Sequence, residues 1–433
     1  MVSKWKELRL DEVTELIIDC PHSTPKWTDE GIVVLRSNNI KNGRLDVSSP
    51  SYTDLDGYEK RVKRAVPQAG DLVLTREAPM GEVCQIPEGL KCCLGQRMVL
   101  IRVKEEIIDS KYLLYTLQSP YLQYQISWNE GTGTTVSNIR IPNIKAFQIP
   151  TPLIPEQKAI AHILGTLDDK IELNRQMNET LEAMTQALFK SWFVDFDPVI
   201  DNALLAGKAI PDELAERAEL RQAQLDSGKA KTNSEINDLF PSEFEFTEEL
   251  GWIPKGWASK KLGELLNIKY GKDHKKLEQG SIPVYGSGGL MRSVDKSLYN
   301  GESILIPRKG TLSNLMYVDE EFWTVDTMFY SIPKQEKTVK YLFQCLSLFD
   351  LASMNVGSAV PSMTTRVLND LNIVIPSNNA LYEFDRLATD FFNHTNALTK
   401  QNSCLAKLRD TLLPKLMSGE LRIADAEKLV ADI

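Results

Sequence analysis

The sequence predicts an α+β chain in which two duplicated, mixed α/β blocks are separated by a long antiparallel two-helix coiled coil, the whole having pseudo-two-fold symmetry. Three observations carry that expectation. Residues 154–196 hold one long heptad pattern, residues 379–413 hold a second, and the stretches ahead of these two rods repeat short motifs in the same order. The implied divisions are a first block over 1–153, a first rod over 154–196, an acidic linker or insertion over 197–250, a second block over 251–378, and a second rod with its tail over 379–433.

Length and composition agree with this plan. A chain of 433 residues, 42% apolar and 25% charged, is ordinary globular material for two to four structural units. The N-terminus carries no apolar signal-peptide core and no run approaches eighteen apolar residues, so a cytoplasmic location is expected. Six cysteines without a CxxC pair read as buried, reduced thiols. The net charge of −9 is unevenly spread: residues 1–150 balance, 197–250 carry −8 and 251–433 carry +2. The acidity therefore belongs to one connector, and either block is free to present a basic face.

In the first block Ile32–Leu35, Asp71–Leu74 and Met98–Ile101 read as strands, and Ser110–Gln118 reads as a helix with Ser110 as its cap. A Gly/Thr loop at 131–135 follows. The first rod opens with Pro155 and Glu156, suited to a helix N-terminus. Its seam is expected to comprise Ile160, Leu164, Leu167, Ile171, Asn174, Leu181 and Leu188, with Met177 and Met184 on the second row. At 1.5 Å per residue such a rod is roughly 60 Å long, too long for one small domain to bury. It needs a partner helix.

The linker reads as a solvated connector carrying an exposed helix from Asp212. Beyond it the chain repeats itself. Trp5, Leu10 and Glu12 match Trp257, Leu262 and Glu264; Gly70 to Arg76 is echoed by Gly301 to Arg308; Lys111-Tyr112-Leu113 returns as Lys340-Tyr341-Leu342. Gly133 to Val136 resembles Gly357 to Val360, and Arg140 and Arg366 each stand nine residues before an Ile-Pro pair. Five ordered matches point to duplication. The second rod supplies the missing seam through Phe384, Leu387, Phe391, Leu398, Leu405, Leu408 and Leu412. Antiparallel rods suit blocks that each precede their rod, and Asn174, His394 and Gln401 are candidates for polar groups that set the register.

Pro152-Leu-Ile-Pro-Glu156-Gln157 at the first rod, Gly251-Trp-Ile-Pro-Lys-Gly256-Trp257 at the second block and Leu412-Leu-Pro-Lys-Leu-Met-Ser-Gly419 near the end resemble the specificity subunit of type I restriction–modification systems. The second rod departs from the pattern, lacking a Pro-x-x-x-Glu-Gln opening. The resemblance implies that each block is a target-recognition domain reading half of a split, asymmetric site on double-stranded DNA. It also implies that the rods space the readers, and that two methyltransferase subunits and restriction (translocase) subunits are recruited, with no membrane involved. It makes the chain a non-catalytic subunit of a complex with adenine methyltransferase and ATP-dependent endonuclease activities. In keeping with that, the sequence lacks an Asn-Pro-Pro-aromatic tetrad and a phosphate-binding Gly-x4-Gly-Lys-Ser/Thr loop, its four histidines lack metal-ligand spacing, and no cofactor is expected.

DNA readout needs polar and cationic side chains on loops at strand ends. The candidates are Arg36, Ser37, Asn38, Asn39, Arg76, Gln96 and Arg97, together with Thr132, Thr134 and Thr135 on the Gly/Thr loop. In the second block they are Lys272, Lys275, Lys276, Arg308 and Lys309. Arg76 and Arg308 rank first because the repeat places a cation at both.

Overall fold

The computed structural model describes residues 5–128, 138–229, 233–354 and 361–431. The chain is mixed α/β and divides into two compact units, Met1–Gln176 with Leu398–Ile433, and Met177–Ala397. Among the described residues no helix is long and apolar enough to cross a membrane.

In the first unit an antiparallel sheet runs in the order Thr14–Asp19, Met98–Val103, Leu72–Thr75, Val83–Gln85. Side chains alternate across it. Leu72, Leu74, Val99 and Ile101 join the helix residues Tyr112, Leu113 and Leu117 in one core, whereas Val73, Cys84 and Leu100 face Leu35, Ile40 and Leu94 in another. That second core is shared with a three-stranded sheet in which Ile32–Leu35 lies parallel to Cys92–Leu94 and antiparallel to Ser51–Thr53. The helix Ser110–Gln118 is capped one residue earlier than expected: the Tyr112 N–H donates to the Asp109 carboxylate at 2.8 Å.

In the second unit six strands run in the order Leu266–Tyr270, Met328–Pro333, Tyr299–Pro307, Met316–Thr324, Ile282–Gly286, Gly289–Val294, antiparallel except where Ile282–Gly286 meets Met316–Thr324. Its apolar core gathers Phe329, Leu342, Leu346 and Phe384 with the aromatic residues Phe189, Trp192 and Phe193.

The same hydrogen bonds occur in both units. Leu10 N–H donates to Phe147 O and Leu262 N–H to Leu371 O; Lys104 N–H donates to Val13 O and Lys334 N–H to Leu265 O. The Tyr112 hydroxyl donates to Pro150 O as the Tyr341 hydroxyl does to Val374 O. These bonds revise one sequence match. Arg140 occupies the N-cap position of the short helix Ile141–Lys145 and Thr364 that of Thr365–Asn369, so Thr364 and not Arg366 stands where Arg140 does.

The long helices run Ile154–Phe193 and Asn378–Met417. In the first unit they pair antiparallel, since Asp168 accepts from Arg409 at 2.7 Å and Asn174 Nδ2 donates to Gln401 at 2.7 Å and to Asn402 at 2.9 Å. Ile160, Leu164, Leu167, Asn174, Leu181, Phe384, Leu405 and Leu412 are buried, and Ile171, Leu188, Leu387, Phe391, Leu398 and Leu408 are half-buried. Met177 and Met184 are exposed, which removes them from the seam, and His394 also faces solvent. Straight helices drift about 20° per heptad against a strict seven-residue repeat, and that drift carries the second row outward.

The 197–250 segment corrects the expectation of a solvated connector. Helix Asp197–Ala206 buries Pro198, Val199, Ile200 and Ala203, and Phe240 is buried against Trp192 and Trp257. The buried carboxylates Asp197 and Asp201 are each held at 2.7 Å by Arg217 and Arg221, projecting from the otherwise exposed helix Ala215–Asp226. The two pairs offset the cost of burying these carboxylates, while the segment keeps its net charge of −8. Five cysteines are buried, and burial pushes Cys93 up to about 11 and Cys92 and Cys345 up to about 12; Cys404, against expectation, is exposed.

Candidate nucleic-acid interface

The parallel strands Ile32–Leu35 and Cys92–Leu94 end side by side, joined by the Gly95 N–H donating to Leu35 O at 2.7 Å. They therefore deliver Arg36-Ser37-Asn38 and Gln96-Arg97 to one edge. Strand Leu72–Thr75 ends at the same place, because Arg76 N–H donates to Arg97 O at 2.8 Å and Ile139 N–H to Arg76 O at 3.1 Å. The described sequence candidates of the first unit are in this way brought together, but their states differ.

Arg36 and Asn38 are exposed and Ser37 is half-buried. The Arg36 guanidinium lies 5.4 Å from the ring centroid of Trp27, an exposed aromatic that sequence reasoning passed over. Asn39 is buried and structural: its Oδ1 accepts from Arg36 N–H at 2.9 Å and its Nδ2 donates to Asp46 O at 2.9 Å. Arg76 is the main correction. Its side chain is only 11% exposed, Nη1 meets Asp19 at 2.6 Å and Nε donates to Ile139 O at 2.9 Å, so it closes the fold instead of offering a free cation. Arg97, in the left-handed region at φ 68, pairs with Glu77 at 3.1 Å while keeping half its side chain exposed. The Gln96 amide donates to His22 O. Thr132, Thr134 and Thr135, like the Gly133–Val136 and Gly357–Val360 matches, lie outside the described residues.

In the second unit the corresponding edge is formed where Leu266–Tyr270 and Tyr299–Pro307 end. Arg308 N–H donates to Thr327 O and Met363 N–H to Arg308 O, repeating the two bonds around Arg76. The half-buried Arg308 lies 5.3 Å from the Tyr270 ring centroid and donates to Asp326 O at 3.0 Å. Lys272, Lys275, Lys276 and Lys309 are exposed and form no ion pair among the described residues. Their turn is braced by Arg292, which donates to His274 O and Leu277 O at 2.8 Å each, and by Trp323, whose indole donates to Lys272 O at 2.9 Å. Neither brace announced itself in the sequence, since each works through backbone carbonyls.

No group of three or more His, Cys, Asp or Glu is placed to hold a metal ion among the described residues. The two edges present donors for phosphate oxygens and base edges.

The type I restriction modification DNA specificity domain model matches the chain twice, at residues 2–183 and 254–403. The HindI specificity subunit of Haemophilus influenzae is 25% identical across 97% of this chain and 100% of its own length. The MjaIX specificity subunit of Methanocaldococcus jannaschii is 26% identical over 85% of this chain and 82% of its own. A crystal structure of a type I restriction-modification S subunit from M. genitalium shares the fold, with a TM-score of 0.56 at 20% identity over 96% of both chains. With the family model spanning most of the sequence in two stretches, the chain belongs to the specificity subunits of type I restriction–modification systems.

Proposed function

We propose that this chain is a duplicated, pseudo-two-fold reader of a bipartite, asymmetric DNA site. Each of the blocks 1–153 and 251–378 is a target-recognition domain for one half-site, and the paired long helices are an antiparallel coiled coil that sets the spacing between halves. The observation that carries this reading is that the DNA specificity model matches twice, each match covering one set of the recurring hydrogen bonds and one polar strand-end edge. A helix of 40 residues is about 60 Å long, a span on the order of 18 base pairs, enough for two short half-sites and an unread gap.

The chain contributes recognition and its partners contribute chemistry. Methyltransferase subunits, two per chain, modify adenine within the site, and restriction subunits supply ATP-driven translocation and cleavage. The helix faces bearing the exposed Met177 and Met184 suit a protein partner better than DNA, because a flexible thioether packs against apolar surface.

Mapping methylated adenines in the host genome with and without the chain tests the reading. Disappearance of one split motif is expected; an unchanged methylation map would refute it. Adding one heptad to each long helix should lengthen the permitted gap and leave the half-site sequences unchanged.

A further inference from the structure

In the first unit, His22, Arg76, Glu77, Gln96, Arg97 and Asn138 surround an open depression of about 230 Å³. Its charges are matched in place. Arg76 is paired with Asp19, Arg97 with Glu77, and His22 Nε2 lies 3.2 Å from Asp19. A site so balanced has little attraction for a phosphate, whose capture calls for uncompensated cations. It suits a neutral ligand carrying its own donors and acceptors.

One of the residues lining it has an unsatisfied atom. Asn138 Oδ1 is buried and accepts no hydrogen bond among the described residues, although buried acceptors are nearly always paired. The adjoining Ile139 is bound at both polar groups, its N–H donating to Arg76 O and its carbonyl accepting from Arg76 Nε. The backbone beside Asn138 is thereby anchored, and an anchored amide is a better reader than a mobile one.

Building on the DNA-reading function above, we propose that Asn138 reads an adenine in the half-site of the first unit, its side chain turning into the depression so that Oδ1, closed to solvent in the free chain, accepts from the exocyclic amine. An asparagine amide has an acceptor and a donor side by side, which is the complement of adenine N6 and N7 in the major groove; cytosine offers the amine alone. The Arg97–Glu77 pair at the rim holds the guanidinium for a neighbouring base.

The test is selection of sequences from random DNA duplexes by the full chain assembled with its methyltransferase subunits, as wild type, Asn138→Ala and Asn138→Asp. The wild type is expected to select a split motif with a fixed adenine in one half. Asn138→Ala should weaken that adenine preference by about tenfold or more and leave the other half and the gap unchanged. Asn138→Asp, which retains only acceptor oxygens, should move the same position towards cytosine. Identical motifs from all three proteins, or loss of both halves together, would overturn the assignment. A wild type that selects no split motif overturns the DNA-reading function itself, an outcome separable from failure of the asparagine alone.

Discussion

Arg76 and Arg308 occupy the same backbone position in the two units, yet they face different counterparts. Asp19 stands opposite Val99 on the first sheet as Tyr270 stands opposite Phe329 on the second, and the following N–H in each donates to a methionine carbonyl, Met98 or Met328. Where the first unit places a carboxylate, the second places an aromatic ring. The carboxylate draws its arginine into a largely buried ion pair; the ring stacks on its arginine, which forms no ion pair among the described residues. The surroundings follow suit, with Arg97 tied to Glu77 in the first unit and, in the second, four exposed lysines that form no ion pair among the described residues. One scaffold therefore supports two electrostatic styles. Direct base contacts suit the first, and phosphate attraction suits the second.

The largest test of this contrast is stability. Arg76→Ala removes the partner of the half-buried Asp19 and the bond to Ile139 O and should cost about 2 kcal/mol in chemical unfolding, whereas Arg308→Ala should leave the unfolding midpoint nearly unchanged and weaken DNA binding. Equal destabilisation by both would erase the distinction. Next in size is salt dependence: replacing Lys272, Lys275 and Lys276 together by alanine should flatten the log–log dependence of DNA affinity on salt by about 3, near one unit for each phosphate no longer neutralised. Arg97→Ala should change the slope by less than one unit, and a larger change would show that its pairing with Glu77 opens on DNA. The smallest effect is expected from Tyr270→Asp, which gives the second unit the carboxylate of the first. Removal of a cation–π interaction worth about 0.5–1 kcal/mol, with Arg308 newly neutralised, should reduce affinity a few-fold, measurable by titration of labelled duplex. Tighter binding would reverse the assigned role of the ring.

The two long helices and several recurring positions were legible in the sequence because they depend on patterns that survive without knowledge of the three-dimensional neighbours. Heptads revealed the rods, and Trp5/Trp257 and Tyr112/Tyr341 marked corresponding positions. The state of each cation was not legible, because it is decided by residues far away in sequence. Nothing near Arg76 indicates that Asp19, 57 positions earlier, reaches it at 2.6 Å. Asn39 looked like a reader for the same reason, since its bond to Asp46 O forms only once the turn has closed. The 197–250 segment misled through composition: a charge count does not show that Asp197 and Asp201 are buried against Arg217 and Arg221. Asn138 was passed over because its signature, a buried oxygen without a donor, exists only in three dimensions.

The first unit is assembled from two separate stretches, Met1–Gln176 and Leu398–Ile433, whereas the second is the continuous stretch Met177–Ala397. As the chain leaves the ribosome, Ile160, Leu164 and Leu167 emerge long before Leu405 and Leu412, which complete their core. The unit that begins first is therefore finished last, after the whole of the second has been made, and its apolar helix face stays uncovered in the interval. Release of the nascent chain before Leu412 would leave a complete second unit joined to an open first one.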